Sequence, residues 1–380
     1  MTQVRSVAAV LQAGVDEGVF PGAVLHVRRA GRVVFEQAVG RITYAVDAPM
    51  VSPATVYDLA SLTKPLATTT AVLDAIERGR LELAQPVGDV LSELRSTPVG
   101  AASIEHLLAH ASGLPAWRPY YERLAREPGS VDLRLDRTCA ARCVLEWIGA
   151  EPLERPIGTG SVYSDLGFIL LGFVIERLNG SPLSHWYRGF LQRDLPACGL
   201  DFIDGSAVAR SVFGPNVTVA PTEQDSWRSR LLCGEVHDEN AWALGGTAGH
   251  AGLFGTAESV GRMAQWWLHG VTDEPVHGRS SLRRRFVSRV TAVRGTSRAL
   301  GWDTPSAPSS AGRYFSPASF GHLGFTGTSL WIDPSCEVIV VLVSNRVHPT
   351  RANDKIKDFR PRLHDAVWEA WGRGRGDQSA

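Results

Sequence analysis

The chain has 380 residues, 44% hydrophobic and 21% charged, a balance that suits a globular protein with a large core and excludes a disordered or fibrous class. Its 39 Lys plus Arg equal its 39 Asp plus Glu, so the formal net charge is zero, which argues against a nucleic-acid binder held by bulk charge. The five cysteines are odd in number and include no CxxC pair, so neither a disulfide framework nor a zinc knuckle is expected, and no run of about 18 apolar residues offers a membrane span.

Val4, Val7, Val10, Leu11 and Val15 recur at helical spacing and predict an amphipathic helix over 4–18, ended by Pro21-Gly22. Asp16 and Glu17 interrupt it and no small-residue cleavage site follows, so it reads as the first helix of the fold, not a leader, and a cytoplasmic location is expected. Ala23–Arg29 and Arg32–Val39 are β-rich runs joined by Ala30-Gly31, a hairpin signal. Residues 61–79 read as a helix closed by Gly79.

Between about 80 and 245 the pattern is helical, at 103–110, 137–150, 165–179 and 182–195. A further helix is predicted over 256–269. Gly324–Asp333 and Glu337–Ser344 read as paired strands around Pro334-Ser335, the second almost wholly apolar, as in a strand covered on both faces. A helix over 353–371 closes the fold, and 372–380 are expected to fray. Residues 1–80 and 246–380 are therefore expected to build an α/β region around one sheet, with 81–245 as a mostly helical insertion.

Three short segments carry chemistry. Ser61-Leu62-Thr63-Lys64 puts a hydroxyl and an amine on one helix face. A serine needs a base within hydrogen-bond reach, and a desolvated lysine can shed its proton near neutral pH. Tyr163-Ser164-Asp165 sits in the turn entering an apolar helix, where cations that depress the tyrosine would make it a second proton relay. Gly321 to Ser329 begins a strand in which Gly324 permits close substrate approach, edge N–H groups can bind an oxyanion, and His322 can orient or donate a proton.

Taken in order, SLTK, YSD and HLGFTG resemble the three motifs of the serine β-lactamase and penicillin-binding protein superfamily. The nearest branch is the class C β-lactamase-like serine hydrolases, which include D,D-carboxypeptidases, esterases and muropeptide amidases. Ile104–Pro115, Ala248–Thr256 and Leu300–Asp303 resemble the same branch, and the resemblance spans roughly residues 20–370. It implies an α/β (α+β) fold of the β-lactamase/transpeptidase type, an antiparallel sheet flanked by helices. Ser61 would be the acylated nucleophile, Lys64 would take its proton, and Tyr163 would protonate the leaving group and activate water. His322 falls where the family usually has lysine, and the N–H groups of Ser61 and Phe325 would form the oxyanion hole. No metal or cofactor is implied.

Two departures bear on substrate. Asp165 stands where the second motif often has asparagine, replacing an amide donor with an acceptor-only carboxylate. Leu323 removes the third motif's hydroxyl and His322 is neutral at pH 7 if unperturbed. Both changes weaken a carboxylate-binding site, so efficient β-lactam turnover is not expected; Arg346 or Arg351 is an alternative anion ligand. The expected substrate is a small molecule or peptide derived from peptidoglycan, cleaved by a D,D-carboxypeptidase or muropeptide amidase. The alternatives are a carboxylesterase, a β-lactamase, or a sensor that is acylated and barely turns over. Asp165, Gly324 and Trp302 are the expected substrate-contacting positions, and Trp117 and Trp227 could also line a cleft. His106 and His110, four apart, have metal-ligand spacing but no HExxH pattern, and read as structural. His237-Asp238-Glu239-Asn240 reads as a capped loop, with a cleft wall as the alternative.

Overall fold

The computed structural model describes residues 2–126, 137–204, 209–272, 279–291, 293 and 295–372. The expected frayed tail falls outside these residues from 373 onward. Helix α1 is Thr2–Asp16, followed by strands β1 (Gly22–Arg29) and β2 (Arg32–Gly40). Ala30 and Gly31 both take positive φ, +46° and +76°, the backbone that a tight hairpin with right-twisted strands requires.

The other strands of this sheet come from the far end of the chain: β3 (Phe320–Leu323), β4 (Ser329–Asp333) and β5 (Val338–Ser344). The order is β2-β1-β5-β4-β3, antiparallel throughout, with β3 at one edge. All seven residues of β5 are buried. Val338, Val340 and Leu342 pack under α1 and the closing helix, with Leu11, Phe20, Phe359 and Leu363. Ile339, Val341 and Val343 face the opposite way, into the larger core that also holds the helical middle of the chain. Period-two alternation thus places one apolar strand in two hydrophobic layers. The antiparallel sheet flanked by helices is the fold class that the sequence predicts.

The expected single strand Gly324–Asp333 is corrected. The chain turns at 324–328, and pairing resumes only at Ser329, opposite Leu323. Gly327, at φ +117°, supplies a backbone open mainly to glycine.

The expected helix over 61–79 is a composite: a 3₁₀ turn at Ala60–Leu62, a wider π turn at Lys64–Thr69, then α2 (Thr70–Glu77). Pro65 has no N–H to return to the Ser61 carbonyl, so a regular α ladder cannot start there. Helix α3 (Asp165–Asn179) is apolar almost all round, is capped at Ser164 and stops at Gly180 with φ +64°. Helix α4 (Ala257–Thr272) packs on the sheet, and α5 (Ile356–Trp371) closes the fold. Among the described residues no single helix is long and apolar enough to cross a membrane.

Candidate active site

Tyr57 and Asp58 pair with Phe254 and Gly255, and Leu59 N donates to Leu253 O at 2.9 Å. The chain then reverses through Ala60, whose φ of +47° is uncommon for a residue with a Cβ. The buried Asp58 carboxylate accepts from Ala60 N at 2.8 Å and from His237 N at 2.7 Å, and so fixes this turn. Ser61 follows at once, partly exposed at the start of the composite helix.

Lys64, wholly buried, points back at this serine. Its Nζ donates to Ser61 Oγ at 2.9 Å and to His250 O at 3.1 Å, and lies 2.7 Å from Asp165 Oδ1. Burial pulls the ammonium down, but the charge of Asp165 and the neighbouring Tyr163 outweigh it, and Lys64 ends above its ordinary value. The expectation that a desolvated lysine beside positive or dipolar groups sheds its proton near neutral pH is thereby corrected: the group beside it is the Asp165 carboxylate, which holds that proton in place.

Tyr163 is partly buried, and the Lys64 ammonium sits 4.9 Å from its ring centre. Burial raises the phenol, and Lys64 and Ser61 beside its hydroxyl only partly offset that rise, so cations do not depress it as expected. Tyr163 therefore holds its proton and can donate it. His110 supports this corner. Its ring centre lies 4.7 Å from that of Tyr163, and its Nδ1 accepts from Ser164 N at 3.0 Å.

On the opposite side, His322 Nδ1 lies 2.8 Å from Leu323 O. A carbonyl only accepts, so Nδ1 carries the proton and Nε2 presents a lone pair, buried and without a partner. Burial, reinforced by Lys64 and Arg298, lowers His322 well below its ordinary value, so the ring is neutral. The turn after it is tied to the nucleophile segment: Thr326 Oγ1 donates to Asp58 O at 2.8 Å and Thr328 Oγ1 to Leu59 O at 3.2 Å. A Cβ on Gly324 would stand 2.6 Å from Leu59 O and closer still to Thr328 Oγ1, so this approach admits only glycine. Neither Ser61 N nor Phe325 N has a protein acceptor among the described residues.

These groups surround a cavity of about 610 Å³, lined by Ser61, Tyr163, Asp165, His322, Gly324 and Phe325 among others. His237, Asp238 and Glu239 form one wall and Trp117 the rim. Trp302 is corrected: it is 1% exposed, packed against Trp267 and Phe320 at 5.3 and 5.0 Å, and belongs to the core. Trp227 stacks edge-on to Tyr121 and Trp242 instead of lining the cavity. Arg351 is engaged by Glu223 at 2.6 Å and Glu239 at 2.7 Å, and Arg346 donates to backbone carbonyls. His106 caps the helix that begins at Ile104, so the two histidines serve different partners.

Arg298 and Arg360 are among the cavity residues that escaped the sequence reading. Arg298 lies 5.0 Å from the Tyr163 ring centre and pairs with Asp303 at 3.3 Å. Arg360 reaches the cavity from α5. Arg298 adjoins the Leu300–Asp303 block, a signal that could have drawn notice; nothing local marks Arg360.

Residues 7–361 match the family described as beta-lactamase. The chain is 30% identical over 372 residues to an N-acetylmuramyl-L-alanine amidase of Bacillus subtilis (strain 168), covering 91% of this chain and 81% of that protein. It is 27% identical over 379 residues to a protein of Salmonella agona (strain SL483) provisionally named D-alanyl-D-alanine carboxypeptidase, covering 91% and 83%. The fold is shared with EstCE1, a hydrolase with promiscuous acyltransferase activity (TM-score 0.70, 21% identity, 97% and 99% covered). It is also shared with a penicillin-binding protein homologue from Caulobacter crescentus (TM-score 0.69, 20% identity, 97% and 98% covered).

Proposed function

Given that this chain belongs to the beta-lactamase family and is a serine hydrolase, we propose that Ser61 is its nucleophile and that it hydrolyses an amide bond in peptides derived from peptidoglycan. One observation carries the reading: Ser61 Oγ, Lys64 Nζ and Asp165 Oδ1 stand in line at 2.9 and 2.7 Å, beside Tyr163, at the edge of the cavity. The substrate class is supported by the names of two relatives, an N-acetylmuramyl-L-alanine amidase and a protein provisionally named D-alanyl-D-alanine carboxypeptidase.

In the resting site Lys64 is charged and Asp165 is its counter-ion. Water-poor surroundings narrow the gap between this ion pair and its neutral form, in which the proton sits on Asp165. The neutral Lys64 amine then takes the Ser61 proton as Oγ attacks the substrate carbonyl. The developing oxyanion is met by the N–H groups of Ser61 and Phe325. Tyr163 gives its proton to the leaving nitrogen and is reprotonated by Lys64, which breaks the C–N bond and leaves the acyl group on Ser61. Water enters, loses a proton through Tyr163 to Lys64, and its oxygen attacks the ester. Collapse returns a proton from Lys64 to Ser61 Oγ and releases the acid. Asp165 then gives its stored proton back to Lys64. The neutral His322 accepts a hydrogen bond at Nε2 from a substrate N–H or O–H group.

Ester hydrolysis is the second reading, favoured by Leu323, which gives a substrate carboxylate no hydroxyl. The test is a substrate panel of muropeptides, D-alanyl-D-alanine peptides, p-nitrophenyl acetate and butyrate, and nitrocefin, with Ser61→Ala beside each. Turnover of a peptide or muropeptide that the mutant loses supports the proposal. Turnover of esters alone moves the assignment to esterase.

A further inference from the structure

The proposed oxyanion hole rests on one peptide unit, Gly324–Phe325, and the residue behind that unit is a buried arginine. Arg360, in the second turn of α5, is 5% exposed. Its Nη2 donates to Gly324 O at 2.8 Å and to Thr328 O at 2.7 Å. Among the described residues no carboxylate pairs with it, and the charge that bears on it is that of Arg346, another cation. Its Nε is buried without a partner. A guanidinium taken from water, left without a counter-ion and aimed at main-chain carbonyls is a costly arrangement for merely bracing a turn, which neutral donors brace elsewhere.

We infer that Arg360 is a positioning residue for the oxyanion hole, which holds the Gly324–Phe325 peptide in place and strengthens its N–H as a donor. The inference rests on the reading of Phe325 N–H as an oxyanion donor. The argument is one of peptide geometry. The carbonyl of Gly324 and the N–H of Phe325 belong to the same planar, conjugated unit and, in the trans form, point in opposite directions. A cation bonded to the oxygen draws electron density through that unit, so the N–H on the far side becomes a stronger donor. The Phe325 carbonyl is held in the same way by Arg346 Nε at 2.8 Å. Gly324 N donates to Thr328 O at 2.8 Å, the other carbonyl that Arg360 holds. The turn is thus closed on itself, tied to Asp58 and Leu59 ahead of Ser61, and charged from behind. Charge developing on the substrate oxygen is met by a donor whose position and strength are set before the reaction begins.

The test compares Arg360→Gln and Arg360→Lys with the parent enzyme on its best substrate. Arg360→Gln is expected to lower kcat on the order of tenfold or more while KM stays within about twofold, because the loss is felt in the transition state. Arg360→Lys, which keeps the charge but cannot span both carbonyls, is expected to fall between. The specific readout is the ester carbonyl stretch of the acyl-enzyme. It is recorded by isotope-edited infrared with p-nitrophenyl [1-¹³C]acetate in a Tyr163→Phe background that slows deacylation. The band is expected to move to higher wavenumber in Arg360→Gln as the hole polarises the carbonyl less. A brace without electrostatic effect would lower thermal stability and leave the band unmoved, and that result overturns the inference. If Arg360→Gln does not fold, Arg360→Lys carries the test: a partial shift supports the inference and an unmoved band with parental kcat overturns it. Failure of the parent to form any adduct on Ser61 would instead overturn the reading beneath.

Discussion

Lys64 and Asp165 form a 2.7 Å ion pair directly beneath the Ser61 hydroxyl, so the general base of the proposed reaction and its proton store are adjacent side chains. The pair makes a prediction with a definite sign. With Asp165 present, the active form carries one proton shared between two groups, so Lys64 is freed without giving its proton to solvent. Asp165→Asn removes the acceptor, so Lys64 must lose its proton to solvent. The lysine's own proton affinity falls in this variant, because burial then acts unopposed by the carboxylate. Even so, the acid limb of kcat/KM is expected to move to higher pH, since the Lys64 proton no longer has an internal acceptor and must leave for solvent before Ser61 is activated. A pH–rate profile that does not move would remove Asp165 from the proton path.

Tyr163, partly buried and raised, is cast as the acid that protonates the leaving group. Tyr163→Phe keeps the ring against His110 and Lys64 and deletes only the hydroxyl. Turnover of an amide is expected to fall by roughly 10²-fold or more. Acylation by esters with good leaving groups needs less protonation and is expected to suffer less, read as the rate of the p-nitrophenolate burst, while deacylation slows whichever substrate supplied the acyl group. Equal losses in the acylation rate of amide and ester would point to a structural effect.

Gly324→Ala is expected to be severe. The added carbon would stand 2.6 Å from Leu59 O, and the neighbours it meets belong to the segments that carry Ser61 and Phe325. Overpacking of this kind costs about 1–3 kcal/mol, read as a lower urea midpoint. Activity is expected to drop further than stability explains, because the two proposed oxyanion donors are pushed apart.

The cavity wall gives a stability prediction. Burial alone would raise the Glu223 carboxyl, but hydrogen bonds from His237 and from Arg351 outweigh it and bring it down to about 2. A depressed folded-state value means the contribution is complete above the ordinary 4.5 and drains away as pH falls from there toward 2. Glu223→Gln is expected to cost about 2 kcal/mol at pH 7, since it breaks hydrogen bonds to charged groups, and little near pH 2. Denaturant melts at both pH values test this; equal costs at both would contradict it.

Trp302→Ala tests a correction. A core tryptophan truncated to alanine costs about 3–5 kcal/mol through the cavity it leaves. In enzyme kept folded at low temperature, KM is expected to stay near the parental value, whereas a substrate-binding tryptophan would raise it.

Much of the frame was legible because short-range signals carry it. Ala30-Gly31 announced the β1–β2 hairpin, the apolar run at 337–344 announced a strand covered on both faces, and the helical pattern over 165–179 announced α3. The break at 324–328 was not legible, since Gly324 and Gly327 act through close approaches to Leu59 and Ser344, segments far off in sequence. The motif residues Ser61, Lys64, Tyr163, Asp165 and His322 were found through their motifs and the resemblance these carry; four of them line one cavity, and Lys64 lies buried behind Ser61. Their protonation was not legible: the balance between burial and the Asp165 charge at Lys64 depends on a fold that joins residues 101 positions apart. Trp302 was misread because an aromatic in a loop-like stretch carries no local sign of whether it faces a cleft or the core. Arg360 was missed because it matters through two backbone carbonyls on another element.

The central claim is an acyl group on Ser61 formed from an amide. The most direct measurement is intact and peptide-level mass spectrometry of the enzyme acid-quenched within the first turnovers of a muropeptide, with Ser61→Ala as control. The account predicts one acyl adduct per chain, on the peptide containing Ser61, absent with all turnover from Ser61→Ala. Turnover that survives in Ser61→Ala, or an adduct on another residue, would contradict it.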